Sequence, residues 1–148
     1  QDYRDNGKVS LFEGSGGFAA GEQRRDFVFV EDVVKVNLDF LDHPQRSGIF
    51  NLGTGAAGTF NDVALATINT CRRARGQEAQ SLAQLVADGA IEYVSFPPAL
   101  VGKYQSYTQA DMSRLRSAGY QAPMQPVERG VGRYVESLIS GESPAALR

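Results

Sequence analysis

Apolar positions along this chain fall in short blocks whose spacing switches between the strand and helix periods. Val9-Ser10-Leu11-Phe12 reads as a short extended piece, and a glycine-rich loop separates it from the alternating run Phe27-Val28-Phe29-Val30. From Glu31 to Asp42, Val33, Val34, Val36, Leu38, Phe40 and Leu41 cover one broad helical face, and His43-Pro44 ends it. Gly48-Ile49-Phe50-Asn51-Leu52-Gly53, an apolar run bounded by glycines, predicts a buried strand.

Thr59 with Asp62 then forms a capping box ahead of a helix through Phe60, Val63, Ala64, Thr67, Ile68 and Cys71, with Gly76 as its stop. Ser81 with Gln84 opens a second, shorter helix that closes near Gly89, and Ile91 to Phe96 is a strand halted by Pro97-Pro98. An irregular connection follows from Leu100 to Tyr107. Thr108 and Asp111 predict a helix to Ala118, stopped by Gly119, with Met112 and Leu115 inward. Pro126 starts a last helix in which Val127, Val131, Tyr134, Val135 and Leu138 share a face. Strands alternating with helices define an α/β domain or a piece of one.

The stretch from Leu11 to Val33 carries the most chemistry. Two extended segments meet at a loop holding backbone donors, the Ser15 hydroxyl and the pair Arg24-Arg25. Arginine's planar fork matches phosphate oxygens, and glycines let backbone amides approach an anion closely. The simpler reading of the same residues is a β-hairpin with a solvated, charged tip.

At 148 residues the chain has the length of one domain, and a net charge of −2 gives no electrostatic footprint for nucleic acid or a polybasic membrane anchor. Its apolar runs are too short to cross a bilayer. The single cysteine, Cys71, excludes an internal disulfide and suits a reducing compartment, so the cytoplasm is the expected location. The chain opens Gln1-Asp2-Tyr3 without a methionine, and the first few residues read as the end of something longer.

Gly53-Thr54-Gly55-Ala56-Ala57-Gly58 satisfies the G-x-G-x-x-G pattern of dinucleotide-binding loops. The reading as a structural turn is preferred. A dinucleotide fold places its discriminating residue after the next strand, whereas Arg72, Arg73 and Arg75 fall at a helix end. One histidine and one cysteine give no metal set, and His43 at a helix stop serves the helix dipole rather than a nucleophile. With lysines only at positions 8, 35 and 103, no tyrosine has a lysine four residues later, so no catalytic residue is proposed.

Five stretches resemble the ADP-heptose 6-epimerases, a branch of the extended short-chain dehydrogenase/reductases: LFEGS (11–15), RDFVFVEDVVKVNLDFL (25–41), SGIFNLGTG (47–55), IEYVSFP (91–97) and GKYQSYTQADMSRLRSAGY (102–120). The NLGTG run is shared by many nucleotide-sugar enzymes; the FEGS loop together with GKYQSYTQAD is far more specific. The resemblance implies the substrate-binding portion of a Rossmann-type α/β enzyme across residues 1–148, with the NADP-binding half and the Tyr-x-x-x-Lys pair lying before Gln1. It implies an isomerase inverting carbon 6 of ADP-glyceromanno-heptose for lipopolysaccharide core synthesis, with NADP as cofactor. The ADP-heptose is its small-molecule partner, and relatives form rings of five. By the same resemblance Phe12, Glu13, Gly14 and Ser15 form the substrate loop, Arg25 faces the diphosphate, and Tyr104 lies near the phosphates or ribose. Two other readings stay open: a different nucleotide-sugar epimerase or dehydratase, and a stand-alone ligand-binding or interaction domain without catalysis.

Overall fold

A computed structural model describes residues 2–141. The elements in chain order are helix α1 (Asp2–Asn6), strands β1 (Val9–Phe12) and β2 (Arg24–Arg25), α2 (Val30–Asp42), β3 (Gly58–Thr59), α3 (Phe60–Ala74), α4 (Leu82–Ala87), β4 (Ile91–Val94), α5 (Ser113–Ser117) and α6 (Val127–Ser140). The expected α/β class holds: α3 and α4 pack against the parallel pair of β1 and β4, as in part of a Rossmann-type fold.

The expected hairpin does not form. β1 pairs in parallel with β4, Val9 opposite Ile91 and Phe12 opposite Val94, while β2 pairs antiparallel with β3. Phe27 to Phe29 stay outside any strand, and α2 begins at Val30. Local alternation gives a strand its faces but does not choose its neighbour, and here the neighbour comes from about eighty residues downstream, where a parallel crossover is required.

The strand predicted at Gly48–Gly53 is also absent. Ile49 is 84% exposed, while Phe50 and Leu52 lean onto a core built by Val36, Met112, Leu115 and Tyr120. A strand needs a partner to exchange backbone hydrogen bonds, and among the described residues none lies beside this run. The second core joins Ala64 and Ile68 of α3 to Leu85 of α4 and Ile91 of β4.

Helix starts were legible. Thr59 and Ser81 each form a complete capping box, with Asp62 and Gln84 returning the bond to the cap backbone. α5 is shorter than expected: it begins at Ser113, with the Asp111 carboxylate accepting the Ser113 amide at 2.9 Å, while the Thr108 amide donates to the Arg24 carbonyl. In α6 the buried face differs from the predicted one. Val135 is buried, but Tyr134 and Leu138 are 45% and 54% exposed, and Gly130, Gly132 and Ser137 go inward instead. Small residues let α6 approach closely: a Cβ at Gly130 would stand 3.1 Å from Phe29 Cβ, and one at Gly132 would stand 3.5 Å from Thr70 Oγ1 on α3. Reading apolarity by bulk misses a face made of glycine.

Among the described residues no helix is long and apolar enough to cross a membrane.

Candidate functional site

β1 and β4 run in parallel, so both carboxyl ends open on one side, the side where ligands bind in open α/β sheets. Phe12 closes β1, and its amide-linked neighbour Glu13 continues the ladder by donating its N–H to the Val94 carbonyl at 2.8 Å. The loop from Glu13 to Gln23 then turns back toward α3. At Gly14 a side chain is impossible, because a Cβ would stand 2.4 Å from the Phe18 carbonyl oxygen. The Ser15 carbonyl accepts the Phe18 amide at 3.2 Å, and its hydroxyl has no bonded partner among the described residues.

Three residues fasten this loop. Buried Gln23 donates from Nε2 to the Glu13 carbonyl at 3.0 Å. Asn61, on the first turn of α3, donates from Nδ2 to the Ala20 carbonyl and to Glu22 Oε1, and its Oδ1 accepts the Tyr93 hydroxyl at 3.0 Å. Burial foremost, with the Glu22 charge, holds the Tyr93 hydroxyl above its ordinary value against the lowering pull of the Asn61 bond, so it remains a donor. Gly21, at φ +68°, passes so close to Asn61 that a Cβ there would stand 2.2 Å from Oδ1.

The structure brings Arg25 and Tyr104 to this loop. Arg25 Cζ lies 4.9 Å from the Tyr104 ring centroid, and Nη1 donates to the Arg24 carbonyl at 2.9 Å. Among the described residues Arg25 has no carboxylate partner, although it is half-buried, so the rest of its donor fork is available to an anion. Tyr104 packs edge-to-face on Phe96 at 5.4 Å and on Phe12 at 6.3 Å, and Phe12 meets Phe96 at 5.3 Å. Phe12, Arg25 and Tyr104 therefore meet directly, whereas Glu13, Gly14 and Ser15 follow Phe12 in the loop. Phe96 was not singled out from the sequence; its signal was its place two residues past a strand end and just before Pro97-Pro98.

The glycine turn at 53–58 is occupied by the protein itself. Asp26 Oδ1 accepts the Thr54 amide and hydroxyl, each at 2.6 Å, and Oδ2 accepts the amides of Gly55 at 2.9 Å and Ala110 at 3.0 Å. Burial by itself raises the Asp26 carboxyl; the bonds from Thr54, Ala110 and Gly55 outweigh it and hold the group below its ordinary 3.8. The adjoining cleft of about 330 Å³ is lined by Asp62 and Glu128, charges that repel a pyrophosphate. These residues do not fit a dinucleotide cofactor, and the reading as a structural turn stands. A larger cleft of about 420 Å³ is apolar, between Phe27–Val30 and one side of α6, and includes none of the six expected substrate residues. Sequence reasoning also missed Asp26, next to Arg25, which ties this strand end to both the 53–58 turn and Ala110; its signal was a carboxylate between an arginine pair and an apolar run.

His43 behaves as expected at a helix stop, with Nδ1 2.7 Å from the Asp39 carbonyl oxygen. Among the described residues no group of three His, Cys, Asp or Glu side chains could hold a metal ion.

Residues 5–53, which run from the end of α1 through β1, the Glu13–Gln23 loop and Arg25 into α2 and beyond, match the NAD dependent epimerase/dehydratase family. That family is the one to which the sequence bears its resemblance, and its description implies a nicotinamide cofactor. More particularly, the chain is 60% identical over 137 residues to ADP-L-glycero-D-manno-heptose-6-epimerase of Thiobacillus denitrificans (strain ATCC 25259 / T1). The match covers 93% of this chain and 41% of that protein, so the chain spans well under half the length of this relative.

Proposed function

We propose that this chain is the substrate-holding part of an ADP-glyceromanno-heptose 6-epimerase, an isomerase interconverting the ADP-D-glycero- and ADP-L-glycero-D-manno-heptoses in lipopolysaccharide core synthesis. The observation that carries the reading is Arg25 stacked on Tyr104, without a carboxylate partner among the described residues, beside the Phe12–Ser15 loop. The 60% identity to a relative of that name supports the choice of substrate.

In this reading NADP supplies reversible oxidation at carbon 6 and is held by residues outside these 148. The present residues hold the nucleotide handle. Arg25 takes the diphosphate, Tyr104 and Phe12 wall the space beside it, and Gly14 and Ser15 offer the loop backbone and a hydroxyl. An anchored handle lets the sugar turn between oxidation and reduction without leaving. The working enzyme is expected to be a cytoplasmic homo-oligomer.

The test is turnover by the complete enzyme of ADP-D-glycero-heptose against UDP-sugars. Preference for the ADP-heptose supports the assignment. Equal or better turnover of a UDP-sugar would assign the chain to another nucleotide-sugar epimerase or dehydratase, as the breadth of the matched family allows.

A further inference from the structure

We infer that Phe96 is a wall of the nucleotide subsite, packing against the base end of the ADP handle, and that Glu13 is a positioning residue acting through Phe96 rather than a ligand contact. The inference rests on the reading that the Arg25–Tyr104 region holds a nucleoside diphosphate.

Phe96 lies beyond the carboxyl end of β4, next to Phe12 at the carboxyl end of β1. The three rings of Phe12, Phe96 and Tyr104 meet edge-to-face, at interplanar angles between 68° and 82°. All three are half-buried, and neither hydrophobic core includes them. A cluster of aromatic rings outside both cores, beside an arginine with no carboxylate partner among the described residues, is the arrangement that takes a flat base and its phosphates together.

Backbone constraints aim the ring. The residue before a proline is held extended, and Pro97 follows Phe96 directly. A single 3₁₀ turn, Pro98–Leu100, then reverses the chain, and the Tyr104 amide donates to the Leu100 carbonyl at 3.0 Å, which returns Tyr104 to Phe96.

Glu13 completes the device. Its Oε1 accepts the Phe96 amide at 3.3 Å, its own amide donates to Val94, and its carbonyl accepts Gln23. A carboxylate aimed at a diphosphate would repel it; this one is turned to a backbone N–H instead. Neutral glutamine offers the same acceptor, so charge is dispensable for the role and the oxygen is not.

The test is calorimetric titration of the 148-residue chain with ADP and, separately, with inorganic pyrophosphate, for wild type, Phe96→Leu, Glu13→Ala and Glu13→Gln, each checked for folding by circular dichroism. Phe96→Leu should weaken ADP about tenfold and leave pyrophosphate unchanged, a selectivity that a purely structural defect would not produce. Glu13→Ala should follow Phe96→Leu, and Glu13→Gln should recover most of the loss. A folded Phe96→Leu that binds ADP like wild type overturns the inference, as does Glu13→Gln binding as weakly as Glu13→Ala. Wild type binding neither ligand would overturn the nucleotide-site reading as well, whereas ADP binding indifferent to position 96 overturns this inference alone.

Discussion

Arg25 sits over the ring of Tyr104, its Cζ 4.9 Å from the centroid, although 78 intervening residues of chain separate them. The contact exists because the backbone between Arg24 and the 104–108 segment is zipped: the Arg24 amide donates to the Ser106 carbonyl at 2.9 Å, and the Thr108 amide to the Arg24 carbonyl at 3.2 Å. The stack holds the guanidinium plane in one orientation before any anion arrives.

Replacing Arg25 by alanine in the complete enzyme should therefore raise KM for ADP-heptose. Loss of a charge-assisted phosphate contact is worth about 1.5–3 kcal/mol, roughly tenfold to a hundredfold in KM. Arg25→Lys should recover only part of this, since an ammonium keeps the charge but neither stacks nor forks. Steady-state kinetics on both variants checks it, and an unchanged KM for Arg25→Ala removes the residue from the site.

Asp26 should matter for stability rather than for binding. Asp26→Ala strips acceptors from three backbone amides and a hydroxyl, and a cost of about 3 kcal/mol is expected. The carboxyl is held below its ordinary 3.8 when folded, so the unfolded chain takes up the proton first. The stabilisation is thus fully present above about that ordinary value and drains away as pH falls toward the folded value. Urea midpoints measured from pH 7 down to acid should fall more steeply for wild type than for Asp26→Asn; parallel curves would refute the coupling.

Two glycines should not tolerate alanine, for steric reasons of different kinds. At Gly53 a Cβ would stand 2.5 Å from Asp26 Oδ2 and 2.6 Å from Ala110 Cβ, against neighbours locked by hydrogen bonds. At Gly21 it would strike Asn61 Oδ1 and force a non-glycine residue to φ +68°. Both changes should lower the thermal midpoint, by roughly 1–3 kcal/mol equivalent. Gly21→Ala should also weaken ADP binding, because Asn61 fastens the substrate loop.

A stoichiometric titration of the chain with NADP, followed by quenching of tyrosine fluorescence, should show no saturable binding. The amides that a pyrophosphate would need at Gly53–Gly58 already serve Asp26, and Asp62 and Glu128 line the adjacent cleft. Tight binding at that turn would overturn the division of labour proposed here.

Local chemistry was legible wherever a few neighbouring residues decide the outcome. The capping boxes at Thr59 and Ser81, the glycine stops at Gly76 and Gly119, and the inward placement of Met112 and Leu115 all follow from side chains a turn or less apart. The resemblance named Phe12, Arg25 and Tyr104 among six candidates, and the structure shows these three in contact. What tertiary structure alone decided was who meets whom. The pairing of β1 with β4 in place of a hairpin, the glycine face of α6 and the absence of a strand at 48–53 each depend on a partner distant in sequence. So does the capture of the glycine turn by Asp26. Hydrogen-bond partners and close packing are properties of surfaces brought together, and periodicity describes only one surface at a time.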